Sequence, residues 1–164
     1  MSKVVIGVMG PGDGANTGDL ANARELGRLI AKNGWVTLSG GRNSGVMEAV
    51  SQGAKECGGL VIGILPTKDR ATFSDALDVA VVTDMGSARN NINVLSSTVV
   101  VACGMGSGTA SEVALALKSE VPVIMLSSGA SAEAFFKELG PDQVFCSDTP
   151  ENAVTIIRTI IEES

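Results

Sequence analysis

With 164 residues, 45% of them hydrophobic, the chain is large enough to bury one core, and no proline-rich or serine-rich linker divides it, so a single domain over 1–164 is expected. A formal charge of −6 argues against a nucleic-acid partner, since phosphate backbones are bound mainly through net positive patches. Neither histidine nor tyrosine occurs, which excludes His-based triads, His general bases and His metal sites.

In chain order, short runs rich in Val and Ile predict strands near 3–9, 35–39, 60–65, 79–82, 98–103, 122–126 and 143–146. Helical patterns fall between them near 18–33, 44–57, 87–96, 109–119, 131–138 and 150–162. This alternation predicts an α/β fold: a doubly wound, mostly parallel Rossmann-like sheet with helices on both faces and ligands outside the carboxyl ends of its strands. Expected helix starts are Ser131, Thr149 before Pro150, and a capping box formed by Thr109 and Glu112.

The N-terminal apolar run Val4–Met9 is too short for a signal-peptide core or a membrane span. Three cysteines, Cys57, Cys103 and Cys146, form no Cys-x-x-Cys pair, which suits a reducing compartment. A cytoplasmic protein with no membrane partner and no protein-ligated metal is expected.

Two strand-to-helix turns are rich in glycine. After Val99–Cys103 comes Gly104-Met105-Gly106-Ser107-Gly108-Thr109-Ala110-Ser111-Glu112, and after Val36-Thr37-Leu38 comes Ser39-Gly40-Gly41-Arg42-Asn43-Ser44-Gly45. Glycines admit a ligand close to the backbone, while the first helical N–H groups are unpaired and carry the positive end of the helix dipole, a place for a phosphate. The turn Gly10–Gly18 lacks the Gly-x-Gly-x-x-Gly order, and the second strand ends in Leu38-Ser39-Gly40 without a ribose-binding acid, so NAD is not expected. No P-loop pattern occurs either.

Gly104–Glu112 resembles the Pro-Gly-Gly-x-Gly-Thr-x-x-Glu motif of the Lonely Guy phosphoribohydrolases and of the related molybdenum cofactor carrier proteins. Ser39-Gly40-Gly41 with Gly45-Val46-Met47 is similar to their second motif, and Ala88-Arg89-Asn90-Asn91-Ile92-Asn93 is similar to the Ala-Arg-Asn-x-Ile-Asn segment of the carrier branch. The hydrolase branch carries Met-His-x-Arg-Lys there, and this chain lacks it. Met105 and Ser39 stand where glycines are usual.

The resemblance implies a homo-oligomeric carrier of an anionic pterin, the molybdenum cofactor (molybdopterin), with molybdenum enzymes or cofactor-biosynthesis proteins as partners. It places the phosphate on Gly106, Ser107, Gly108 and Thr109, with Gly40, Gly41, Arg42, Arg89, Asn90, Gly104, Met105 and Glu112 as the other cofactor-binding residues. The alternative it leaves open is a nucleoside 5′-monophosphate phosphoribohydrolase acting on a nucleotide ligand, with Arg89 and Glu112 as the catalytic pair that stabilises an oxocarbenium ion and its phosphate.

Plainer readings stand beside these. Glu112 can serve as a helix-capping residue and Arg89 as a solvated or ion-paired arginine. Cys103 can be a small apolar filler, and Met9, Met47, Met85 and Met105 packing residues, with Met85 and Met105 also placed to line a pocket. Aromatic residues near the turns are few, Phe73 being the one in a strand-following loop.

Overall fold

Valine- and isoleucine-rich runs form seven strands in the computed structural model, which describes residues 3–163. Positions 1, 2 and 164 of the expected 1–164 domain lie outside the described residues. The elements follow the order β1 (Val5–Met9), α1 (Thr17–Lys32), β2 (Val36–Ser39), α2 (Gly45–Glu56), β3 (Val61–Leu65), β4 (Val79–Val82), α3 (Asn90–Leu95), β5 (Val99–Cys103), α4 (Ser107–Lys118), β6 (Val123–Leu126), α5 (Ala130–Leu139), β7 (Val144–Ser147) and α6 (Pro150–Glu162).

The strands form one sheet in the order β4-β3-β2-β1-β5-β6-β7, and every pairing is parallel. The expected doubly wound α/β architecture is therefore present. The chain winds outward from β1 to β4 and then returns to lay β5 on the other side of β1. Turns leaving β1 and β5 consequently diverge, and a crevice opens at their carboxyl ends.

Period-two alternation divides the core between the two faces. Val99, Val101 and Cys103 of β5 face a cluster completed by Leu26 and Ile30 of α1, Val46 and Val50 of α2, and Ile157 of α6. Val100 and Ala102 face the opposite cluster, with Val94 of α3, Val113 and Ala116 of α4 and Phe136 of α5. All five residues of β5 are buried, each valine contributing about 1.5–3 kcal/mol by leaving water. The edge strand β4 is the opposite case, exposed at all four positions.

Several expected boundaries shift for identifiable reasons. The helix expected over 87–96 is a 3-10 turn, Gly86–Arg89, opened by Gly86 at φ +57° and followed by α3, with Arg89 buried where the two meet. Gly106 is already extended (φ −156°, ψ 173°) and acts as the N-cap, so α4 begins at Ser107. Thr109 and Glu112 then lie inside the helix and form no capping box. The helix start at Ser131 is likewise displaced, since α5 begins at Ala130 after Gly129. Thr149 caps α6 as expected, accepting from Asn152 N at 3.2 Å ahead of Pro150. A capping box does occur at α1, where Asn16 Oδ1 accepts from Asp19 N at 2.9 Å and Asp19 Oδ2 accepts from Asn16 N at 3.1 Å.

Candidate functional site

The crevice at the carboxyl ends of β1 and β5 is a cavity of about 330 Å³, at the lower end of the range for small-molecule sites. One wall is the start of α4: Gly106, Ser107, Gly108 and Thr109, with Glu112 one turn further. This helix has no side-chain cap, so its first N–H groups remain available to an anion, with the helix dipole behind them. The opposite wall is the end of β1 and its turn, Val8 to Gly12. Gly40 and Met47 come from the turn after β2 and from α2, and Ser87, Arg89 and Asn90 close the third side.

Arg89 is 8% exposed, so the reading as a solvated surface arginine is corrected. Its Nη1 donates to Asn90 Oδ1 at 2.8 Å and its Nη2 to Gly40 O at 3.5 Å, while Nε is buried without a partner. Burial lowers its pKa; Glu112 opposes that shift and the nearby Arg42 reinforces it. Asn90 Nδ2 donates to Ser111 Oγ at 3.0 Å, tying the start of α3 to α4.

Glu112 is 7% exposed. Burial pushes its carboxyl up to about 7, against a hydrogen bond from Asn93 Nδ2 at 2.9 Å and the field of Arg89, both of which lower it. Among the described residues no ion pair joins Glu112 to Arg89. Thr109 Oγ1 is also buried without a partner. Two buried, unpaired polar atoms, Arg89 Nε and Thr109 Oγ1, thus belong to residues that line one cavity.

Of the residues expected at the site, eight line the cavity: Gly40, Arg89, Asn90, Gly106, Ser107, Gly108, Thr109 and Glu112. Four do not. Gly41 packs against β3, where a Cβ would stand 2.9 Å from Gly63 Cα. Gly104 turns with φ +72° against the Asp19 carboxylate. Met105 packs on the core face that holds Val113, and Arg42 pairs through its backbone with Phe73. Met85 is 51% exposed and outside the cavity, whereas Met9 and Met47 line it. Cys103 is buried with Sγ donating to Asp19 O at 3.5 Å, and burial, helped by Asp19, pushes its thiol up to about 12. That environment makes it an inert packing residue.

Sequence reasoning missed the wall from Gly10 to Gly12, having compared that turn only with the dinucleotide pattern. The available signal was its position after the strand at the centre of the sheet. It also missed Asn93, although that residue closes the Ala88–Asn93 segment.

A parallel sheet with a cavity at its switch point defines a Rossmann-like α/β protein. The chain belongs to the SLOG cluster4 family, matched over residues 3–154. It is similar to the molybdenum cofactor binding protein of Rippkaea orientalis, with 57% identity, a TM-score of 0.96, and coverage of 98% of this chain and 99% of that one. It is also similar to the molybdenum cofactor carrier protein of Chlamydomonas reinhardtii, with 47% identity, a TM-score of 0.93, and coverage of 98% and 99%. A cytokinin riboside 5′-monophosphate phosphoribohydrolase of Mycobacterium tuberculosis is 33% identical over 92 residues, 55% of this chain and 49% of that protein.

Proposed function

We propose that this protein binds and carries the molybdenum cofactor as cargo, holding the cofactor's phosphate on the first turn of α4. The observation that carries the reading is the uncapped N-terminus of α4 facing the same cavity as Arg89, whose buried Nε lacks a partner. High similarity to two proteins named for this cofactor supports the choice of cargo. Ser107, Gly108 and Thr109 would supply backbone N–H groups and Arg89 a charge-assisted contact. Ser87 and Asn90 line both this cavity and an adjoining apolar groove formed by Ala88, Ala114 and Leu115, where the flat remainder of a pterin would find apolar surface.

The test is mass spectrometry of small molecules released from the natively purified protein. A pterin phosphate is the expected result, and an adenine nucleotide in its place would overturn the cargo.

A second reading, a phosphoribohydrolase, is favoured by the presence of both Arg89 and Glu112 at the cavity and by the partial similarity to the mycobacterial enzyme. Incubation with AMP distinguishes the two. Release of free base at about one turnover per minute or more, abolished by Glu112→Gln, would establish the enzyme.

The carrier reading brings with it a cytoplasmic location, molybdenum enzymes or cofactor-biosynthesis proteins as recipients, and a homo-oligomer. Val79, Val81 and Val82 on the uncovered edge strand and the nearby Met85 are 40–51% exposed, the apolar surface that such an assembly would cover. No helix among the described residues is long and apolar enough to cross a membrane.

A further inference from the structure

Glu112 poses a difficulty for an anion site. Its carboxyl is almost wholly buried, and it lines the same cavity as the N-terminus of α4. An oxyanion bound there would stand against a second negative charge where water screens little. Contact with a cation does not relieve this. The donor to Glu112 Oε1 is the neutral amide of Asn93 at 2.9 Å, while the Arg89 guanidinium is bonded to Asn90 Oδ1 and Gly40 O.

Asn93 is itself completely buried on α3, and its Oδ1 has no partner. Its backbone carbonyl accepts from Ser97 Oγ at 2.7 Å, which anchors the residue from below. The backbone of Asn93 is therefore held by Ser97, and its buried side-chain amide donates to the carboxyl of Glu112.

The charged surroundings are sparse. From the 3-10 turn comes Arg89, and from the turn after β2 comes Arg42, which acts on Arg89. Asp19 of α1 packs against Gly104 and Cys103 beneath the cavity. The β1 wall, Val8 to Gly12, brings no charge at all.

We propose that the cavity takes up its anion together with a proton, which Glu112 carries, and that Asn93 is the positioning residue holding that carboxyl toward the ligand. The proposal rests on the anion-cradle reading above. A protonated Glu112 ceases to repel the anion and becomes a donor to it, the proton coming from solvent and no other bond changing. Burial brings Glu112 to about 7, and a neighbouring oxyanion raises it further. Binding is then strongest on the acid side of neutrality. It weakens as pH rises past about 7, by roughly tenfold per pH unit for a single proton, so that alkalinisation releases the ligand.

The chain has no histidine to titrate in this range, and Glu112→Gln subtracts whatever other groups contribute. The probe is inorganic sulfate, which keeps its charge there, titrated calorimetrically between about pH 6 and 8.5 in two buffers of different ionisation enthalpy. The expected result is uptake of close to one proton per sulfate on the alkaline side, with affinity falling as stated. Glu112→Gln should bind sulfate with no pH slope and no uptake. Asn93→Leu, or the smaller Asn93→Ala, removes the bond that favours the carboxylate and should move the midpoint upward. A merely structural role for Asn93 would lower the melting temperature and leave the midpoint in place. Sulfate binding without proton uptake, or uptake that survives Glu112→Gln, overturns the proposal while the anion cradle stands. Absence of sulfate binding at every pH overturns both.

Discussion

The glycine turns after β2 and after β5 are alike in sequence and unlike in use. After β2 an added Cβ has no room: on Gly40 it would meet Arg89 Nη2 and Met47 Sδ at 2.7 Å, and Gly41, at φ +73°, lies against Gly63 of β3. After β5 the cavity-facing glycines stand open, with Pro11 Cγ 3.6 Å from a Cβ on Gly106 and nothing within 4 Å of one on Gly108. The first turn uses small residues to bring Arg89 close; the second uses them to leave backbone N–H groups uncovered. A glycine cluster therefore signals close approach, and only the neighbouring strands decide whether protein or ligand does the approaching.

The largest effect expected from this contrast is at Gly41. Gly41→Ala combines a left-handed backbone with an overpacked contact to β3, a loss of about 2–5 kcal/mol in stability. Chemical denaturation measures it, and a loss below about 1 kcal/mol would show that β3 yields readily and that the turn is not close-packed.

Next comes Glu112, through pH. Its carboxyl is raised from 4.5 to about 7 on folding, so between these values the folded state keeps a proton that the unfolded state has lost. Stability therefore falls as pH rises through that window, and changes no further from this group above it. The total is on the order of 3 kcal/mol. Denaturation curves from pH 4.5 to 7.5 should show wild type losing this increment relative to Glu112→Gln, which carries no charge at any pH. Parallel profiles would mean that the carboxyl is better solvated than its burial implies.

Arg89 follows. If it contacts the bound anion, Arg89→Ala should weaken sulfate binding by roughly ten- to a hundredfold, about 1.5–3 kcal/mol, and Arg89→Lys should already weaken it because an ammonium cannot reproduce the planar fork. Unlike an exposed arginine, this one is buried and donates to Asn90 Oδ1 and Gly40 O, so its removal trades the relief of a desolvated charge against two lost bonds and a void, and the melting temperature is measured beside the binding. A large fall in melting temperature with unaltered binding would make Arg89 a structural residue.

These outcomes also bear on what a single sequence can reveal. The sheet was legible because buried parallel strands are written as local runs, Val99–Cys103 being the clearest, and local runs need no knowledge of neighbours. Arg89 and Glu112 were found by motif, but their environments were not. The burial of Arg89 depends on Gly40, 49 residues away in the chain. Whether Glu112 caps a helix or faces a cavity depends on α4 starting at Ser107 and not three residues later, at Ala110, and that is set by the extended conformation of Gly106. Asn93 was visible as a letter in a motif, yet its bond to Glu112 spans α3 and α4 and has no local signature. Fold information is thus carried by periodicity, whereas site information is carried by contacts between turns.

The smallest stability effect is expected at Gly108, and it completes the contrast with Gly41. Gly108 is the second residue of α4, where alanine is the better helix former by up to about 1 kcal/mol, and the added Cβ meets no protein atom. Gly108→Ala should therefore fold as well as wild type or slightly better. The same methyl group points into open space in a residue that lines the cavity, so it should obstruct an oxyanion approaching the first-turn N–H groups and weaken sulfate binding. Gly108→Val, bulkier and β-branched, should weaken it more. The two measurements belong together, thermal melting for the helix and sulfate titration for the cavity, with EDTA present to show that no added metal contributes. Retained affinity in both variants would move the anion away from the start of α4, whereas lost affinity with a preserved melting temperature would show that Gly108 is kept small for a ligand and Gly41 for the fold.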